Sequence, residues 1–118
     1  MTRRSVGRCA TPMEAIVGDL YLVNTSIYTL GVDRHDRRPV VVVAVGAGAM
    51  GRIQFVTRTA SGTRGVPHDR SPECGLYKPG RFSVLAGTEK QLWTSEYVRR
   101  LGTLDMDTWV QVRERYTS

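Results

Sequence analysis

Arg37 and Arg38 stand directly before Pro39 and an unbroken apolar run, Val40-Val41-Val42-Val43-Ala44-Val45. A guanidinium is planar, always charged and forked, so it suits phosphate oxygens and stacks on bases. The run behind it is too short to span a membrane, and its β-branched residues favour a strand buried on both faces. Pro39 fits the first position of such a strand, where a missing N–H costs little. Side chains at the mouth of a core strand are aimed by a rigid element, which suits a binding or catalytic role.

The rest of the positive charge has the same character. Lys and Arg together number 17 against 11 Asp and Glu, a net charge of +6, with a sequence pI near 9.9. Lysine occurs only at Lys78 and Lys90, so arginine supplies nearly all of it. A high-GC genome produces the same bias through codon usage, whatever the function. A basic domain of this size points to nucleic acid before a membrane or an acidic protein. Cys9 and Cys74 show neither CxxC spacing nor a nearby histidine pair, so no zinc site and no cofactor is implied. With no apolar signal region and no stretch of membrane-spanning length, the expected location is the cytoplasm, with both thiols reduced.

A length of 118 residues allows one domain with one core. Residues 1–15, carrying Arg3, Arg4 and Arg8, are expected to form a flexible basic arm, and residues 16–118 the folded domain. Alternation of Asp19, Tyr21 and Val23 with Leu20 and Leu22 predicts a first strand over 16–24. A connection over 25–36 leads to the strand that starts at Arg37. The glycines of 46–51 follow neither the phosphate-loop nor the dinucleotide pattern, so a hairpin turn is expected, returning along a strand over 52–59. Residues 60–78 read as a long surface loop with room for a short strand. Strands over 81–85 and 90–93 follow, then a short helical turn capped by Thr94 or Ser95 and running to Arg100. Asp105 is the expected N-cap of a last helix over 106–116, with Met106, Trp109, Val110 and Arg113 on one face and Trp109 as a core anchor. The class is mainly β with α: a small antiparallel β-barrel closed by a C-terminal helix.

Four stretches, in this order, resemble the MazF/PemK family of toxin ribonucleases from toxin–antitoxin modules. They are Gly18-Asp19-Leu20-Tyr21-Leu22-Val23, Arg37-Arg38-Pro39-Val40-Val41-Val42, Phe55-Val56-Thr57-Arg58-Thr59-Ala60 and Leu101-Gly102-Thr103-Leu104-Asp105. The resemblance spans roughly residues 17–112. It implies an SH3-like barrel, a homodimer, metal-independent cleavage of single-stranded RNA, and an acidic antitoxin as protein partner. It places Arg38 and Thr59 against the scissile phosphate. Attack by a ribose 2′-OH builds negative charge on the phosphorane oxygens, which a fixed guanidinium and a hydroxyl would stabilise. Arginine is a poor base, so the group that takes the 2′ proton is unassigned; His35 suits the task by its intrinsic pKa, and Asp36 is next. Arg37, Arg58, Arg64 and Arg81 are the expected RNA-backbone contacts.

The chain departs from the family in two places. The short Gly-x-Glu-Gln segment of many members is absent from the first connection. Where some members place an aspartate two residues after a strand arginine, Arg81-Phe82-Ser83 keeps the arginine and has a serine. Two other readings follow. The same barrel without catalysis would be a protein-binding effector; the gyrase-directed CcdB type is disfavoured because the chain ends Arg115-Tyr116-Thr117-Ser118 rather than in a Trp-Gly-Ile-like sequence. Alternatively it would be a nucleic-acid-binding module whose arginines grip phosphate without chemistry.

Overall fold

A computed structural model describes residues 11–28, 37–46 and 51–116. Six strands, β1 (Asp19–Asn24), β2 (Arg37–Val45), β3 (Ile53–Thr59), β4 (Val66–His68), β5 (Gly80–Thr88) and β6 (Val98–Thr103), precede one helix, α1 (Met106–Tyr116). They form a single antiparallel sheet in the order β4-β5-β3-β2-β1-β6.

The β2 run behaves as its composition demands. Val41 and Val43 enter one cluster with Leu20, Val56, Phe82, Leu104 and Val112. Val40 and Val42 enter another with Tyr21, Phe55, Trp93 and Val98. Successive side chains of a strand point to opposite faces, so β2 is the shared wall of two cores. Helix α1 covers the first of these through Val112 and Trp109. The second is closed by Trp93, which is fully buried and packs edge-on against Tyr21 with ring centroids 5.2 Å apart.

Several elements differ from the sequence expectation. Residues 94–100 do not form a helical turn: a turn ends at Tyr97, and β6 begins at Val98 and pairs with β1. Its pairing shifts register between Leu20 and Tyr21, so Arg100 lies opposite Tyr21. Residues 90–92 are a 3-10 turn rather than a strand. The 60–78 segment holds the short strand it has room for, β4, but is no simple surface loop, because it also forms a 3-10 turn at Pro72–Cys74 and buries Val66, His68, Cys74 and Leu76. The expected arm ends early: Met13 N–H donates to the Trp93 carbonyl, and the Tyr21 hydroxyl bonds the chain at Glu14 and Ile16. Residues 1–10 of that arm lie outside the described residues.

Helix α1 begins where Asp105 predicts, since its Oδ2 accepts from Thr108 N–H at 3.0 Å and Thr108 Oγ1 at 2.7 Å. Its buried residues are Thr108 and Val112, Trp109 packs partly buried against the core as expected, and Met106 is 69% exposed. At the other side of the sheet, β4 pairs only with Gly80–Phe82 of β5. The rest of β5 runs on past it, with Val84 55% and Leu85 45% exposed.

Candidate functional site

Strand register assembles the candidate residues. Thr59 on β3 pairs with Arg81 on β5, and Arg81 pairs with Pro67 on β4. Continuing the β2–β3 register two residues beyond the Val40–Thr57 pair sets Arg38 opposite Thr59. Directly opposed residues of neighbouring strands share a face, so Thr59, Arg81 and Pro67 form a row across three strands, and the extended register would add Arg38 to it. With strands about 4.8 Å apart, the arginines stand roughly 10 Å apart at Cα, with the threonine hydroxyl between them. Thr59 Oγ1 accepts from Ser61 N–H at 3.2 Å, which fixes its rotamer.

Thr59, Arg81 and Pro67 also line one cleft of about 390 Å³, together with Asp69, Pro79 and Gly80. Gly80 packs closely against β3: a Cβ there would come within 2.7 Å of the Thr59 carbonyl oxygen and 2.8 Å of Arg58 Nη1. Arg38 is half-buried at the start of β2 and does not line this cleft.

Arg58, expected as an RNA-backbone contact, is placed inside the protein and brackets the cleft. It is 5% exposed. Its Nη2 donates to the Lys78 carbonyl at 2.7 Å, and its Nε to His68 Nδ1 at 2.9 Å. The same Nη2 reaches the carbonyls of His68 and Asp69 at 3.4 Å. One guanidinium therefore ties both lips of the cleft, residues 68–69 and residue 78, to β3 on the far side of β5. Sequence reasoning puts an arginine on the surface because a buried charge needs partners; here they are backbone carbonyls ten to twenty residues away, which no local pattern announces.

His68 carries the network onward. Because Arg58 Nε can only donate, Nδ1 must accept, and the neutral ring holds its proton on Nε2. That nitrogen faces Asp105 Oδ1 at 3.4 Å and Ser71 Oγ at 3.3 Å. Burial, and then the Arg58 charge, hold the imidazole pKa below its ordinary value, with Asp105 and Asp69 opposing. Burial pushes the Asp105 carboxyl up, but the two bonds from Thr108 and the His68 contact outweigh it, and its pKa falls below the usual value. With both nitrogens engaged and a side chain only 2% exposed, His68 is framework rather than an acid or base for a substrate.

The remaining candidates are dispersed. Arg64 is exposed on the 60–65 segment. Arg37 lines a separate cleft of about 320 Å³ with Arg99, Arg100 and Glu96. Arg100 is bound there to Asp19, Nε to Oδ2 at 2.9 Å, and Thr103 donates to the other oxygen at 3.0 Å. His35 and Asp36 lie outside the described residues. Among the described residues no group of three His, Cys, Asp or Glu side chains is arranged to hold a metal ion, and no helix is long and apolar enough to cross a membrane.

No protein-family model matches the chain, and no curated protein matches it by sequence.

Proposed function

We propose that this chain is a MazF/PemK-type endoribonuclease that cleaves single-stranded RNA without a metal. The observation that carries this reading is the pairing of Thr59 with Arg81, with Arg38 two residues beyond the last β2–β3 pair on the strand that flanks β3 on its other side. A phosphodiester seated over Thr59 meets a guanidinium on each side and a hydroxyl beneath. Charge building on its non-bridging oxygens would be met by donors already in place. The 2′-OH gives its proton to a base from the 35–36 segment, which runs directly into β2. The 2′ oxygen then bonds to phosphorus, and the bond to the 5′ oxygen breaks. That oxygen leaves with a proton from water, and a 2′,3′-cyclic phosphate remains.

In this reading the sheet is an SH3-like barrel, and the protein acts in the cytoplasm. A net charge of +6 favours RNA and equally an acidic antitoxin that competes for the same surface. The part of β5 beyond β4, which among the described residues pairs on one side only, offers an edge on which a second copy would complete a homodimer.

The test is incubation of purified protein with mixed-sequence single-stranded RNA in EDTA, beside Arg38→Ala and Arg81→Ala. Selective cuts with cyclic-phosphate ends, reduced at least a hundredfold in both variants, are expected. Folded wild-type protein that cuts no better than the variants would overturn the nuclease. The barrel would then be assigned to binding alone.

A further inference from the structure

The cleft beside the row contains a group that phosphate binding does not use. Asp69 follows β4 directly, and continuing the β4–β5 register places it opposite Pro79. Its Oδ1 accepts from Arg70 N–H at 2.8 Å, and its own carbonyl is reached by Arg58 Nη2 at 3.4 Å. The carboxylate is therefore held on a fixed backbone at a known place. A carboxylate has about four acceptor sites, so capacity for a ligand remains.

Distance decides its role. Asp69 lies two strands across and two residues along from Thr59. At about 4.8 Å per strand and about 3.4 Å per residue, the Cα separation is on the order of 12 Å. That is too far for a base acting on a ribose whose phosphate sits at Thr59, since proton abstraction requires hydrogen-bond contact. It is the reach of a nucleobase extending sideways from that nucleotide. Pro67 and Pro79 contribute flat apolar rings to the cleft lining, and Gly80 adds no side chain to it.

Resting on the ribonuclease reading, we infer that Asp69 reads a guanine beside the scissile phosphate. Guanine presents N1–H and N2–H side by side, two parallel donors that match the two carboxylate oxygens. Adenine and cytosine each set an acceptor nitrogen next to their amino group, which a carboxylate repels. Uracil offers one N–H between two carbonyl oxygens. Watson–Crick edges of this kind are open for reading in single-stranded RNA. A rigid acceptor pair selects among them strongly, because the wrong base leaves a desolvated charge unpaired.

The test uses uncleavable 2′-O-methyl hexanucleotides of uridine with one central G, A, C or U, titrated into the full chain by fluorescence anisotropy. The G oligonucleotide is expected to bind at least tenfold tighter than the other three. Asp69→Asn presents one acceptor and one donor, so it should lose that preference and gain affinity for the A or C oligonucleotide. A purely structural role for Asp69 predicts no such exchange. Equal binding of all four, no measurable binding, or a guanine preference that survives Asp69→Asn would each overturn the assignment. Guanine-dependent binding without cleavage would remove the nuclease and leave the reader. Cleavage without base preference would do the reverse.

Discussion

Replacing Arg58 by lysine isolates the bracket from its charge. Lysine retains the cation but has a single ammonium, which cannot span from His68 Nδ1 to the Lys78 carbonyl as the guanidinium does at 2.9 and 2.7 Å. At least one of the two short bonds is lost. A hydrogen bond to a charged group contributes about 1.5–3 kcal/mol, and losing it and stranding its buried acceptor are one event, not two. The expected loss is therefore about 2–3 kcal/mol, a large share of the usual stability of a small domain. For a chain of this length it should lower Tm by roughly 10 °C. Urea titration at pH 7.5 measures it, with fluorescence from the fully buried Trp93 reporting the core. Arg64→Lys, on an exposed arginine, serves as the control and should stay within about 0.5 kcal/mol. If Arg58→Lys costs less than about 1 kcal/mol with an unchanged denaturant slope, the guanidinium does not hold the cleft lips, and its burial has another cause.

Two further outcomes follow from the same network. The folded pKa of His68 lies below its unfolded value near 6.5, so stability is full above that pH and declines as pH falls through the lowered folded value. The slope in that window can reach about 1.4 kcal/mol per pH unit; His68→Gln should flatten it in urea titrations between pH 7.5 and 5.5, and a slope that survives in His68→Gln but vanishes in His35→Gln would reassign it. Gly80→Ala forces its methyl group against the Thr59 carbonyl and the Arg58 guanidinium, and should cost about 1–3 kcal/mol. A variant as stable as wild type in the same titration would show that this close packing yields freely.

How much of this was legible depended on whether a residue's environment was local. The β2 strand was, because six consecutive apolar residues leave no face for water. The start of α1 was, because an aspartate cap acts on N–H groups three residues away. Strand β6 was not: Val98 is buried, Arg99 and Arg100 are both exposed, and a register shift against β1 interrupts the alternation that would have marked it. On α1, Trp109 packs on the core as expected, but the burial of Thr108 was missed because it serves as both cap partner and buried residue, which hydrophobicity alone does not favour. In the site, Thr59 and Arg81 were named from the resemblance, and the structure adds the register that joins them. Asp69 sat in a segment that reads as loop, since only its pairing partner on β5 fixes the direction of β4.

The uncovered stretch of β5 bears on how the protein behaves in a test tube. Ser83-Val84-Leu85-Ala86-Gly87 contains no charge and no proline, two of the devices that keep sheet edges from joining, and has only the bulge at Ser83 to interrupt it. Long-range repulsion from a net charge of +6 opposes the approach of two such edges, and that repulsion reaches only about 3 Å in 1 M salt against about 10 Å in 0.1 M. Concentrated brine, which rescues many basic proteins from clinging to nucleic acid, should here bring edges together and cloud the solution. Purification therefore belongs at moderate ionic strength, with nucleic acid removed enzymatically rather than by salt.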